Sequence, residues 1–165
     1  MTELPREQQT SVWPLGTHTI ETAPEHPLLQ AVDQALVPLR PLLRSVRYDA
    51  NDLMPSVSMG LGAEFHAVSI RLVDDDTLMT DLPVGELDQT AGSLQRLLEE
   101  NLNRRWAFRV DSVTGSSPPQ VIVVIEHRLP LAEVERLSAE VIDGWIEKGL
   151  AQGLLRALQG EGENL

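Results

Sequence analysis

The sequence predicts an α+β fold, an antiparallel sheet with helices in the order α-β-β-β-α-β-β-α. Three observations carry this expectation. Apolar residues alternate over strand-length runs joined by short Gly- and Asp-bearing turns. Three leucine-rich segments instead repeat at steps of three and four residues. The parallel βαβ rhythm of a nucleotide-binding sheet is missing, so the strands are expected to form meanders and hairpins.

Residues 1–26 mix Pro5, Pro14, Gly16 and Pro24 with polar residues and show no sustained period, which predicts a flexible N-terminal arm. From Pro27, well suited to a first helical position, Leu28, Leu29, Val32, Ala35, Leu36, Leu39, Leu42 and Leu43 follow helical spacing. Pro38 and Pro41 each lack an N–H and clash with the preceding turn, so a kink or restart is expected there. Tyr48 to Asp52 reads as a polar connection. Three strands follow: Leu53 to Leu61, Ala67 to Leu72 and, after the Asp74-Asp75-Asp76 turn, Leu78 to Leu82.

Glu86 to Asn103 returns to helical period, with Leu87, Ala91, Leu94, Leu98 and Leu102 on one face and Leu97 widening it. Trp106, Phe108 and Val110 then alternate with Ala107, Arg109 and Asp111. After a Gly, Ser and Pro loop, the unbroken apolar run Val121 to Ile125 predicts a second hairpin strand buried on both faces. A terminal helix is expected from Leu131 to Leu158, weakened by Gly144, Gly149 and Gly153 and liable to bend or fray beyond Gly149. The expected domain spans residues 27–158, and residues 159–165 form an acidic tail.

The chain carries 25 acidic and 13 basic residues, a net charge of −12. More than half of it falls between positions 74 and 100, where Asp74, Asp75, Asp76, Asp81, Glu86, Asp88, Glu99 and Glu100 face only Arg96. Such a surface repels phosphate backbones and anionic lipid, so direct binding of nucleic acid or membrane is not expected. Two basic clusters stand apart: Arg40, Arg44 and Arg47 at helical spacing, and Arg104, Arg105 and Arg109 around Trp106. Both read as structural, the first as cations complementing the carbonyl end of a helix. No run of about 18 uncharged apolar residues occurs and the first residues lack a signal-peptide pattern, which points to a cytoplasmic protein.

Zero cysteines remove disulfides, thiolate nucleophiles and Cys-based zinc sites together. No Gly-x-Ser-x-Gly elbow, Walker loop or dinucleotide fingerprint is present. Glu99 and Glu100 are adjacent on a helix and diverge by about 100°, so they cannot act as a glycosidase pair. His66 and His127 fall in strand-like runs without a third ligand at a recognisable spacing. The reading is therefore of a chain without catalytic residues, cofactor or metal. Its alternative is a divalent-metal-dependent enzyme using the Asp74–Asp76 cluster with His66 nearby, and an acidic immunity-type inhibitor is the third. Aromatic residues beside arginines match the composition of protein interfaces, and the long terminal helix has more apolar face than one sheet covers. Trp106 and Phe108 as anchors, Arg105 as a rim cation and Trp145 on the last helix are accordingly the expected partner or dimer contacts.

The stretch from Leu94 through Asn101 into Trp106-Ala107-Phe108-Arg109-Val110, then Val121 to Ile125 and the Leu129-Pro130 step into the last helix, resembles the YbjN family. That family shares the type III secretion chaperone-like fold, and the resemblance covers about residues 27–158. It implies a small acidic homodimer without catalysis. Such a protein binds segments of partner proteins as a chaperone, adaptor or regulator, and the acidic surface of this chain favours basic ones.

Overall fold

The structure is a computed structural model that describes residues 19–88, 91–115 and 119–163. Most of the expected N-terminal arm, residues 1–18, and Asn164 and Leu165 of the expected tail lie outside the described residues. The fold class is α+β, with helices and six antiparallel strands. The chain forms two compact units. One runs to Leu78 and includes Leu129–Ser138; the other is Met79–Arg128 with Ala139 onward.

The first unit contains β1 (Thr19–Ile20), α1 (Pro27–Ala35), β2 (Leu43–Asp49), β3 (Ser56–Leu61) and β4 (His66–Val73), hydrogen-bonded in the order β1-β2-β3-β4. Residues 19–26, expected to be part of the arm, are tied down at their start. Strand β1 pairs in parallel with Ser45 and Val46, and the Glu21 N–H donates to the Val46 carbonyl at 2.9 Å. Helix α1 starts at Pro27, whose missing N–H is no loss in a first turn, and buries Leu29 and Val32. It stops at Ala35, where the Ser138 hydroxyl donates to the terminal carbonyl at 2.6 Å. The two prolines turn the next stretch, Val37–Leu42, into a 3-10 helix.

The expected restart is thus a 3-10 turn, and it leads into a strand that helical spacing had hidden. Leu42 and Leu43 continue the helical row, but Leu43–Asp49 pairs antiparallel with β3 through a bulge between Leu43 and Ser45, and β2 adds a fourth full strand to the expected order. The Arg40, Arg44 and Arg47 triplet is corrected with it: Arg40 lies on the 3-10 turn and the other two on β2, so no helical face is shared. Strand β3 begins at Ser56 rather than Leu53. The Asn51 and Leu53 N–H groups donate to the Asp49 and Asn51 side chains, which builds a turn instead. In-facing residues then meet in register, Val57 with Ile70 and Met59 with Val68.

Tyr48, the only tyrosine in the chain, donates its hydroxyl to Asp33 Oδ1 at 2.8 Å. Burial, then this hydrogen bond and the charge of Asp33, push the phenol well above its ordinary pKa of 10.0. A raised phenol keeps its proton in the fold after the unfolded chain has lost it. Its stabilisation is therefore complete below about pH 10 and lost progressively above it. Absorbance titration at 295 nm should show no tyrosinate up to the pH at which the fold is lost. A normal titration near pH 10 in folded protein would refute the coupling to Asp33.

The second unit holds most of β5 (Thr77–Asp88), then α2 (Ala91–Glu99), β6 (Ala107–Val113), β7 (Gln120–Pro130) and most of α3 (Leu137–Glu163). Its strands follow the order β5-β7-β6. Strand β5 outruns its expected end at Leu82 and runs to Asp88, with Val84 and Leu87 buried and Pro83 and Glu86 exposed. Helix α2 is correspondingly shorter, and Glu100–Asn103 is a 3-10 turn. In the hairpin Phe108 opposes Ile125 and Val110 opposes Val123, with a bulge before Ser112. Strand β7 extends well beyond its apolar run, to Pro130. Helix α3 starts after a 3-10 stretch, Leu131–Arg136, and then continues unbroken across its glycines through Glu163, so it does not end at Gly149.

Candidate protein-binding surface

Trp106 stands just ahead of β6 and is 1% exposed; Phe108 on the strand is 3% exposed. Both belong to the interior of the second unit, not to a surface where a partner would meet them first. Trp106 donates its indole N–H to Asp143 Oδ2 at 2.8 Å, and its ring lies 5.4 Å from that of His127. A Cβ added to Gly144 would come within 2.6 Å of the same ring, so α3 can pass this indole only where it has no side chain. Asn101 fastens Phe108 by both backbone groups, accepting from its N–H at 2.7 Å and donating to its carbonyl at 2.9 Å.

Arg105, expected as a rim cation, is half-exposed and already engaged. It donates to Glu140 Oε1 at 2.9 Å and Asp143 Oδ2 at 2.6 Å. Glu140 is buried, and its second oxygen sits 2.7 Å from His127 Nδ1. Arg104 reaches Glu147 at 3.6 Å while stacking 4.8 Å over the Phe108 ring. Arg109 meets Glu126 at 2.7 Å, Asp111 at 3.1 Å and Asp81 at 3.4 Å. Burial pulls its guanidinium pKa down, but hydrogen bonds to Glu126 and Asp111 with the charge of Asp81 outweigh this and raise it. The arginine cluster around Trp106 is thus matched by the chain's own carboxylates, an arrangement that leaves it little charge for a phosphate backbone.

The Asp74–Asp76 run forms the β4–β5 turn, with Asp74 and Asp75 in the left-handed region at φ 54° and 64°, a conformation aspartate tolerates. Asp76 accepts from the Thr77 hydroxyl at 3.0 Å, while His66 faces Glu64 at 3.4 Å. Among the described residues no group of three or more His, Asp or Glu side chains converges as metal ligands would. In the first unit a cavity of about 360 Å³ is lined by apolar Ile20, Leu36, Leu43 and Val46 and by polar Glu21, Asp33, Arg40 and Tyr48. Arg40 and Tyr48 both bond Asp33 there.

Among the exposed apolar residues, two groups lie on the longer helices and the turn after α2. On α2 the fully buried leucine is Leu97, whereas Leu98 is 40% exposed, and on the 3-10 turn that follows Leu102 is 86% exposed. Leu94, Leu98 and Leu102, flanked by Gln95 and Glu99, line a shallow groove. On α3 the buried face carries Val141, Gly144, Lys148, Ala151, Leu155 and Leu158, and on the opposite face Ile146 and Leu150 are each 62% exposed. Trp145, the expected dimer contact, is half-buried at the side of that face. Among the described residues no helix is long and apolar enough to cross a membrane. No protein-family model, curated protein or solved structure matches the chain.

Proposed function

We propose that this chain is a non-catalytic, homodimeric protein-binding module, a chaperone, adaptor or regulator that holds a basic segment of a partner protein. The observation that carries the reading is the leucine groove along α2 and the 3-10 turn after it, an exposed apolar strip edged by Glu99. Glu99 lines it and Glu100 follows, both exposed, while Glu86 and Asp88 are exposed on the strand that precedes the helix and Arg96 is the cation of the helix. An amphipathic helix would suit it, with apolar residues at three- and four-residue spacing for Leu94, Leu98 and Leu102 and flanking Lys or Arg for the carboxylates. A second copy suits this groove poorly, since it would bring the same carboxylates together. The resemblance to the YbjN family supports the same reading.

Fluorescence anisotropy with a labelled basic amphipathic helix, its charge-reversed counterpart and a scrambled basic control tests it. The basic helix should bind best and weaken as salt rises. The double variant Leu98→Glu with Leu102→Glu should weaken binding by at least about tenfold, a loss of about 1.4 kcal/mol. Both side chains are exposed, so circular dichroism should be unchanged. Equal binding of the acidic helix, or an unaltered Kd in the variant, would refute the groove as the binding surface.

A further inference from the structure

We propose that a second copy of this chain docks on the solvent-facing stripe of α3 as an antiparallel helix pair centred between Gly149 and Leu150. The inference rests on the homodimeric part of the function above and supplies the surface and register that part leaves open.

The stripe lies directly opposite the buried face of the helix and consists of Ile142, Ile146, Gly149, Leu150, Gly153 and Ala157. It holds no charged residue, although the chain carries a net charge of −12. Two such chains repel one another, so a self-contact is favoured where neither contributes a carboxylate. A basic partner has the reverse requirement and finds no anion here.

The glycines point the same way. Each costs a helix about 1 kcal/mol relative to alanine. Gly144 has a reason within the chain, the Trp106 ring, but among the described residues Gly149 and Gly153 have none: a Cβ added at Gly149 meets nothing within 4 Å, and one at Gly153 meets only the tip of Arg156 at 3.9 Å. Neither needs a left-handed backbone. Small residues on an exposed helix face allow close approach by another helix, and exposed Ile146 and Leu150 beside them supply the side chains to fill the space.

An antiparallel two-fold makes the stripe self-complementary. About a centre between Gly149 and Leu150, Ile146 falls opposite the partner's Gly153, Leu150 opposite the partner's Gly149, and Ile142 opposite the partner's Ala157. Every layer then joins one large and one small residue. A parallel pair would stack Ile146 on itself and Gly149 on itself, alternating crowded layers with empty ones. The antiparallel register also sets Arg156 about 3 Å along the axis from the partner's Trp145, within reach of a cation–π contact.

Because the chain has no cysteine, engineered pairs report the register cleanly. Light scattering on the native full-length chain should give twice the 18.2 kDa chain mass. Under mild oxidation the double variant Ile146→Cys with Gly153→Cys should form a covalent dimer, while each single variant should not. Two copies of position 146 would lie about 10 Å apart along the axis, beyond the roughly 7 Å Cα reach of a disulfide, and positions 146 and 153 of one chain are equally far apart. Gly149→Leu with Gly153→Leu should leave helicity intact and weaken dimerisation at least about tenfold. A native chain that stays monomeric overturns this inference together with the homodimer. A native dimer that the leucine variant leaves unweakened, or that crosslinks through the single variants, overturns the α3 register and leaves the homodimer standing.

Discussion

Trp106→Ala should destabilise the second unit by about 3–5 kcal/mol, the range for deleting a fully buried large aromatic side chain. Three losses combine. The indole leaves a cavity under Gly144, which α3 cannot fill because it has no side chain there. The N–H bond to Asp143 disappears, and with it the ring contact to His127. Urea unfolding followed by circular dichroism measures the sum. Trp106→Phe should recover part of it, since the phenyl ring restores most of the volume but not the donor. An interface anchor would behave differently, leaving the unfolding midpoint in place and raising only the dissociation constant of a complex. That result would move Trp106 back to the surface where its position beside three arginines had suggested it belongs.

What the sequence showed and what it hid follow a physical division. Local alternation was legible: His66–Val73 reads as a strand because Val68, Ile70 and Leu72 can face only one way. The hairpin of β6 and β7 and the long last helix were legible for the same reason. Boundaries failed where a helical row runs on into a strand. The Leu42-Leu43 pair continues a helical row, and only pairing with β3 makes Leu43–Asp49 a strand. Helix α2 failed in another way. Its leucines share helical spacing, but spacing alone does not say which side of a helix is covered. Leu97, read as only widening the leucine face, is the fully buried one, while Leu98 and Leu102 line the candidate binding groove. Pairings between distant positions had no signal at all: Arg105 meets Glu140 and Asp143 across 35 and 38 residues. Gly144 shows the same gap, since its sequence reads as a weak helical position and its packing against Trp106 is visible only in three dimensions.

Glu140→Ala should cost about 2–4 kcal/mol, because the carboxylate is 1% exposed and holds two donors at once. An ionised carboxylate only accepts, so His127 presents its Nδ1–H to one oxygen while Arg105 occupies the other. Alanine leaves both donors facing a void. Glu140→Gln should lose less, about 1–2 kcal/mol, since it keeps the volume and one acceptor but turns an NH2 towards a second donor. The exposed half of the pair distinguishes a coupled group from a surface ion pair. Arg105→Ala alone removes bonds to Glu140 and Asp143, and if its effect travels through Glu140, the double variant Arg105→Ala with Glu140→Ala should lose little more than Glu140→Ala. A coupling of about 0.5–3 kcal/mol in that cycle would confirm it. Losses that simply add would reduce Arg105 to an ordinary surface pair worth about 1 kcal/mol or less. Helix α3 would then be held to the hairpin by Trp106 and Gly144 rather than by its charges.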